Sequence, residues 1–115
     1  MKDIKFRIWD KDTNTMIYKG FVVADGRIGV LICSDEFDEL DNAVAMQYTG
    51  LKDKNGKMVY EGDVLKSDGF QGVIEFKGGE FRFRYTCYDR YDRIWEMNYH
   101  AEVIGNIWEN PELLK

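Results

Sequence analysis

The sequence predicts a mostly β protein assembled from short antiparallel hairpins and closed by a short C-terminal helix. Apolar and polar residues alternate over short stretches, and turn dipeptides sit between those stretches. Seven Phe, seven Tyr and three Trp in 115 residues supply enough aromatic surface for a packed core, so a disordered chain is excluded.

Ile4, Phe6 and Ile8 alternate with Lys5, Arg7 and Trp9, the pattern of a strand with one buried face, and this places Trp9 on the polar side. The stretch Asp10-Lys11-Asp12-Thr13-Asn14 is turn chemistry, and Met16, Ile17 and Tyr18 form the returning strand. Asp25-Gly26, between residues 21–23 and 28–30, suits a tight hairpin turn and marks a second hairpin. Residues 33–42 break the alternation with acids and with Phe37 and Leu40 three apart, which predicts a loop or one short helical turn.

Gly78-Gly79 as a two-residue hairpin loop fixes a register. Lys77 then faces Glu80, Phe76 faces Phe81, Glu75 faces Arg82 and Ile74 faces Phe83. Charged pairs fall on one face and apolar pairs on the other, which places Phe76 and Phe81 side by side in the core; a slip by one residue would lose both sets. Tyr85 and Cys87 continue the apolar side. Further strands are predicted over 94–98 and 102–108, then Asn110 as a helix cap and Pro111 in the first turn of a terminal helix. Seven or eight strands result.

The formal charge is −5, and Asp35, Glu36, Asp38, Glu39 and Asp41 account for it: without them acids and bases are equal in number. The body therefore lacks the basic footprint of a duplex-binding protein. No apolar run approaches the length of a membrane span, and the charged start Met1-Lys2-Asp3-Ile4-Lys5 has no secretory pattern, so a cytoplasmic location is expected. Cys33 and Cys87 form no close-spaced pair and read as buried small hydrophobes in a reducing compartment.

The run Met46-Gln47-Tyr48-Thr49-Gly50-Leu51-Lys52-Asp53-Lys54-Asn55-Gly56-Lys57-Met58-Val59-Tyr60-Glu61-Gly62-Asp63-Val64 resembles the signature of the YopX family of phage and prophage proteins. Lys5-Phe6-Arg7-Ile8-Trp9-Asp10 near the start and Val103-Ile104-Gly105-Asn106-Ile107-Trp108-Glu109-Asn110-Pro111-Glu112-Leu113-Leu114 at the close extend the resemblance over essentially the whole chain. It implies a single domain over 1–115, with N-terminal hairpins and the acidic loop in 1–42 and an SH3-like barrel in 43–115. It also implies a phage-encoded protein in the host cell, with no established biochemical activity. Gly50, Gly56 and Gly62 within the signature read as chain reversals.

His100 is the sole histidine, so hydrolytic machinery of the Ser-His or Cys-His kind would have to be built on it, and an enzyme centred there is one alternative. Two Cys and one His leave too few soft ligands for zinc. Asp10, Asp12 and Asn14 imitate the opening of a calcium loop, but Thr15 stands where the turn needs Gly and Phe21 where a bidentate Glu belongs. No catalytic residue, metal or cofactor is assigned.

Between 81 and 93, Arg82, Arg84, Arg90 and Arg93 interleave with Phe81, Phe83, Tyr85, Tyr88 and Tyr91, a mixture suited to single-stranded nucleic acid. Alternation turns the Phe residues and Tyr85 inward and assigns Arg82 to Glu75. That leaves Arg84, Tyr88, Arg90 and Tyr91 as candidate contacts to nucleic acid or to an unidentified protein partner. Phe37 and Leu40 are candidates for docking a partner on the acidic segment. The favoured reading is a noncatalytic binding or oligomerisation module, a homo-oligomer using Trp9 and Trp95, with nucleic-acid binding as the alternative.

Overall fold

A computed structural model describes residues 5–24, 26–33, 36–87, 89–93 and 101–114. The chain divides into two compact units, Lys5–Met46 and a second from Gln47 onward. Both are antiparallel β.

In the first unit, β1 (Phe6–Asp10) and β2 (Thr15–Ile17) form a hairpin in which Asp10 faces Thr15, as the turn chemistry requires. The second hairpin, β3 (Phe21–Ala24) with β4 (Arg27–Cys33), sets Ala24 opposite Arg27 with Gly26 at φ 74° between them, while Asp25 lies outside the described residues. Residues 36–39 correct the sequence reading: they form a strand, β5 (Glu36–Glu39), rather than a loop or helical turn. It pairs with β4 in the order β3-β4-β5. Leu40 falls just past the strand, and an edge strand tolerates a dense run of acids, so their density does not prevent pairing with β4.

The long strand β6 (Ala43–Lys52) begins in the first unit and continues into the second, where it pairs with β7 (Met58–Tyr60). Gly56 and Gly62, at φ 83° and 90°, occupy turns as expected. Gly50, at φ 88°, instead lies inside β6, where the register against β7 shifts between Tyr48 and Lys52; it serves an irregularity in the ladder and not a chain reversal.

A five-stranded sheet dominates the second unit. Its strands are β8 (Asp63–Ser67), β9 (Phe70–Lys77), β10 (Glu80–Tyr85), β11 (Tyr91–Arg93) and β12 (Glu102–Asn106), in the order β11-β10-β9-β8-β12. The predicted Gly78-Gly79 register holds at every pair, from Lys77 opposite Glu80 to Ile74 opposite Phe83. Leu65, Ile74, Phe83 and Tyr85 from one face pack with Val59 and Ala101 as the core. The two Phe rings do lie side by side, with centroids 4.8 Å apart, but at the rim: Phe76 is 44% exposed and Phe81 only partly buried.

Gly72 faces the core where the Phe83 ring crosses it, and a Cβ there would lie 2.5 Å from Phe83 Cζ. Asp53 ties the turn before β7 to β12: its Oδ1 accepts the Asn55 and Lys57 N–H groups at 2.9 and 2.8 Å, and its Oδ2 the Val103 N–H at 2.9 Å. Burial pushes the Asp53 carboxyl up, but those three donors and the Lys57 charge outweigh it and hold the group below its ordinary value.

At the close, residues 107–109 form a turn instead of extending the strand, and the expected helix is a single 3-10 turn, Pro111–Leu114. Asn110 Oδ1 accepts the N–H of Asn106 at 3.2 Å, so it braces the preceding strand. Gln71 Nε2 donates to the Leu113 carbonyl at 2.6 Å, seating this turn on the sheet. The strand expected over 94–98 lies outside the described residues.

Candidate functional site

Of the arginine and tyrosine positions between 81 and 93, β10 and β11 display Arg82, Arg84 and Tyr91, with Arg84 opposite Tyr91, while Arg90 lies in the connection between the two strands. Alternation puts this row on the face away from Phe81, Phe83 and Tyr85. Arg84 Nε donates to Glu75 Oε2 at 2.7 Å, so Glu75 is held by its diagonal neighbour and not by Arg82, which faces it. Arg82 Nε lies 3.6 Å from Glu80 Oε1, and its guanidinium covers the Tyr91 ring at 4.1 Å. Arg90 reaches Asp92 Oδ1 at 3.5 Å, while Asp92 Oδ2 accepts the Tyr85 hydroxyl. Each of these three arginines already has a carboxylate, and the ring of Tyr91, though half exposed, carries a cation on one face. A phosphate would have to displace those carboxylates, which weakens the nucleic-acid reading. Tyr88 lies outside the described residues.

Trp9 is 5% exposed, and its neighbours Arg7, Ile8 and Asp10 are buried too. This corrects the expectation of a solvent-facing Trp9: β1 lies between β2 and β6 in strand order, and an interior strand can be covered on both faces. Trp95 and His100 lie outside the described residues, as do the side chains of Cys33 and Phe37. Leu40 is half-buried, and its N–H donates to the Ile28 carbonyl at 2.7 Å.

Asp10 is occupied within its own turn, Oδ1 accepting the Asp12 N–H at 3.1 Å and Oδ2 the Thr13 hydroxyl at 2.9 Å. Asn14 adopts φ 54°. These carboxylate contacts account for the acids as turn-formers.

Cys87 is an exposed free thiol, against the expectation of a buried one. The strand ends at Tyr85 and the chain bends at Thr86, whose N–H and hydroxyl both donate to the Gln71 carbonyl at 2.9 and 3.2 Å. This bend and the β8–β9 turn enclose an open cleft of about 290 Å³ lined by Lys66, Gly69, Phe70, Gln71, Tyr85, Thr86 and Cys87. Its turn has a signal in the sequence, Asp68-Gly69, the same kind of dipeptide as Asp25-Gly26, but no sequence signal marks the cleft itself. Both residues have positive φ, 45° and 85°, and Ser67 faces Phe70 across them.

The family model described as YopX protein matches residues 5–115. The chain belongs to the YopX family. Two crystal structures are similar to it over its whole length: protein EF1440 from Enterococcus faecalis, 30% identical with a TM-score of 0.70 over 100% of that chain, and protein yopX from Bacillus subtilis, 24% identical with a TM-score of 0.66 over 98%. No curated protein matches. The YopX signature falls largely on structural devices of the second unit, among them the Asp53 turn, β7 and the start of β8. Among the described residues no helix is long and apolar enough to cross a membrane.

Proposed function

We propose that this YopX protein, encoded by a phage or prophage and acting in the host cytoplasm, is a noncatalytic module that works by self-assembly through the open edge of β3. The carrying observation is a contrast among sheet edges. β2, β7 and β11 are three residues each, β12 carries a register shift between Val103 and Gly105, and three of the four residues in the β5 sequence are acids. All are features that blunt an edge. β3 has no charge, no Pro and no bulge, and its successive residues Val22 and Val23 are 38% and 46% exposed on opposite faces.

Antiparallel pairing of two β3 edges about a two-fold axis normal to the sheet sets Val22 of one copy against Val22 of the other. It leaves Val23 beside Phe21 on the same face. The antiparallel run β8 to β11, with β12 on the outer side of β8, supports reading the second unit as an SH3-like barrel.

Light scattering across a tenfold dilution tests the assembly. A multiple of 13.5 kDa that Val23→Lys reduces to the single-chain mass is the expected result. A mass near 13.5 kDa throughout overturns it.

A further inference from the structure

We propose that the cleft beside the β8–β9 turn is a binding site for a small organic anion carrying a flat ring, a nucleoside monophosphate in chemical class. This is independent of the assembly through β3.

The charge pattern comes first. Among the described residues Lys66 is the one charged residue lining the cleft, and it is exposed. Among the described residues it forms no ion pair: Glu102, directly across the strands from it, has its carboxylate 3.7 Å from Lys54 Nζ instead. Asp68 and Asp89 belong to the flanking turns and do not line the cleft. An exposed ammonium group without a counter-charge among the described residues, beside described walls that carry no carboxylate, favours an anion.

The aromatic pattern supplies the ring. Phe70 is 45% exposed, large for an aromatic side chain next to a core, and its ring meets Tyr85 edge-on at 5.7 Å. The arrangement is held from behind. Tyr85 donates its hydroxyl to Asp92, and the Arg90 guanidinium sits 5.5 Å from the Tyr85 ring. The uncovered part of Phe70 is therefore presented by a partner that does not move freely, which lowers the cost of ordering the site on binding. A flat heterocycle gains by stacking on such a ring.

The walls leave room and polar handles. Gly69 has nothing within 4 Å of where a Cβ would stand, so the turn keeps that side open. Thr86 is anchored by two bonds to the Gln71 carbonyl, which fixes its hydroxyl at the rim, and the Cys87 sulfur stands beside it at 3.9 Å. The volume of about 290 Å³ lies at the small end of ligand sites, which suits one nucleotide unit better than a polymer.

The test is titration of the isotope-labelled protein with uridine monophosphate, uridine and inorganic phosphate, followed by amide shifts. The expected result is saturable shifts at Gly69, Thr86 and Cys87 with uridine monophosphate, and binding about tenfold weaker for either fragment, as loss of one charged or stacking contact implies. Lys66→Gln, at an exposed position, should weaken the monophosphate about tenfold and leave uridine unchanged. Phe70→Leu, with an unaltered melting temperature, should weaken both ring-bearing ligands. Absence of shifts at millimolar monophosphate overturns the proposal. So do shifts confined to other residues, or equal affinity for uridine and its monophosphate.

Discussion

Glu75 is paired diagonally with Arg84, whose Nε lies 2.7 Å from Glu75 Oε2, although Arg82 is the residue directly across the ladder. The diagonal choice leaves Arg82 free to lie over Tyr91 at 4.1 Å. Because the Arg84 side chain is 45% exposed, solvent screens the pair. A double-mutant cycle with Arg84→Ala and Glu75→Ala should give a coupling of no more than about 1 kcal/mol, shrinking with added salt. A larger, salt-insensitive coupling would show that the pair is shielded from water.

Gly72→Ala should destabilise the second unit by about 1–3 kcal/mol, because the added methyl meets the Phe83 ring and the Arg84 carbonyl at 2.5 and 2.7 Å. Denaturant unfolding reads this directly. A wild-type midpoint would mean that the ring has space to retreat.

The three Phe residues of the β9–β10 hairpin should rank by depth. Phe83, with no exposed surface, should cost about 3–5 kcal/mol on truncation to Ala. Phe81, only partly buried against the core, should cost less, and Phe76, 44% exposed, least of all. Equal losses would contradict the rim position of the 76–81 pair.

Asp53 makes stability depend on pH in a defined direction. A carboxyl held below its ordinary value in the folded protein contributes stability above the unfolded value, near 3.9, and loses it as pH falls through the folded value. Asp53→Asn should therefore flatten the acid limb of the stability curve. Asp53→Ala, by leaving the Asn55, Lys57 and Val103 N–H groups without their acceptor, should cost at least about 1–3 kcal/mol at neutral pH. Unfolding curves between pH 2 and 7 separate the two effects, and parallel curves for wild type and Asp53→Asn would remove Asp53 as the cause.

Local chemistry that specifies a backbone was readable in advance. Gly78-Gly79 accepts the positive φ angles, 61° and 80°, of a two-residue hairpin loop, and the residues around it pair favourably in one register, so the ladder from Lys77–Glu80 to Ile74–Phe83 follows from sequence. What covers a strand was not readable. Trp9 sits on the polar side of an alternating pattern yet is buried, because burial depends on strands distant in sequence. The same limit hid β5, whose partner β4 decides its conformation. It also hid the cleft, which needs Lys66 and Phe70 from one hairpin and Thr86 from a later bend. Alternation does not carry past Tyr85, where the strand stops, so Cys87 is exposed although it falls on the apolar phase of the pattern.

The pairing of β8 with β12 sets Asp63 against Asn106, and the whole β9–β11 run is translated between them. During synthesis, therefore, the outer side of β8 spends an interval with its backbone donors and acceptors unclaimed while the meander on its other side is already able to form. A nascent chain in that state offers a strand-accepting border to any extended neighbour on the same polysome, and arrival of β12 ends the exposure.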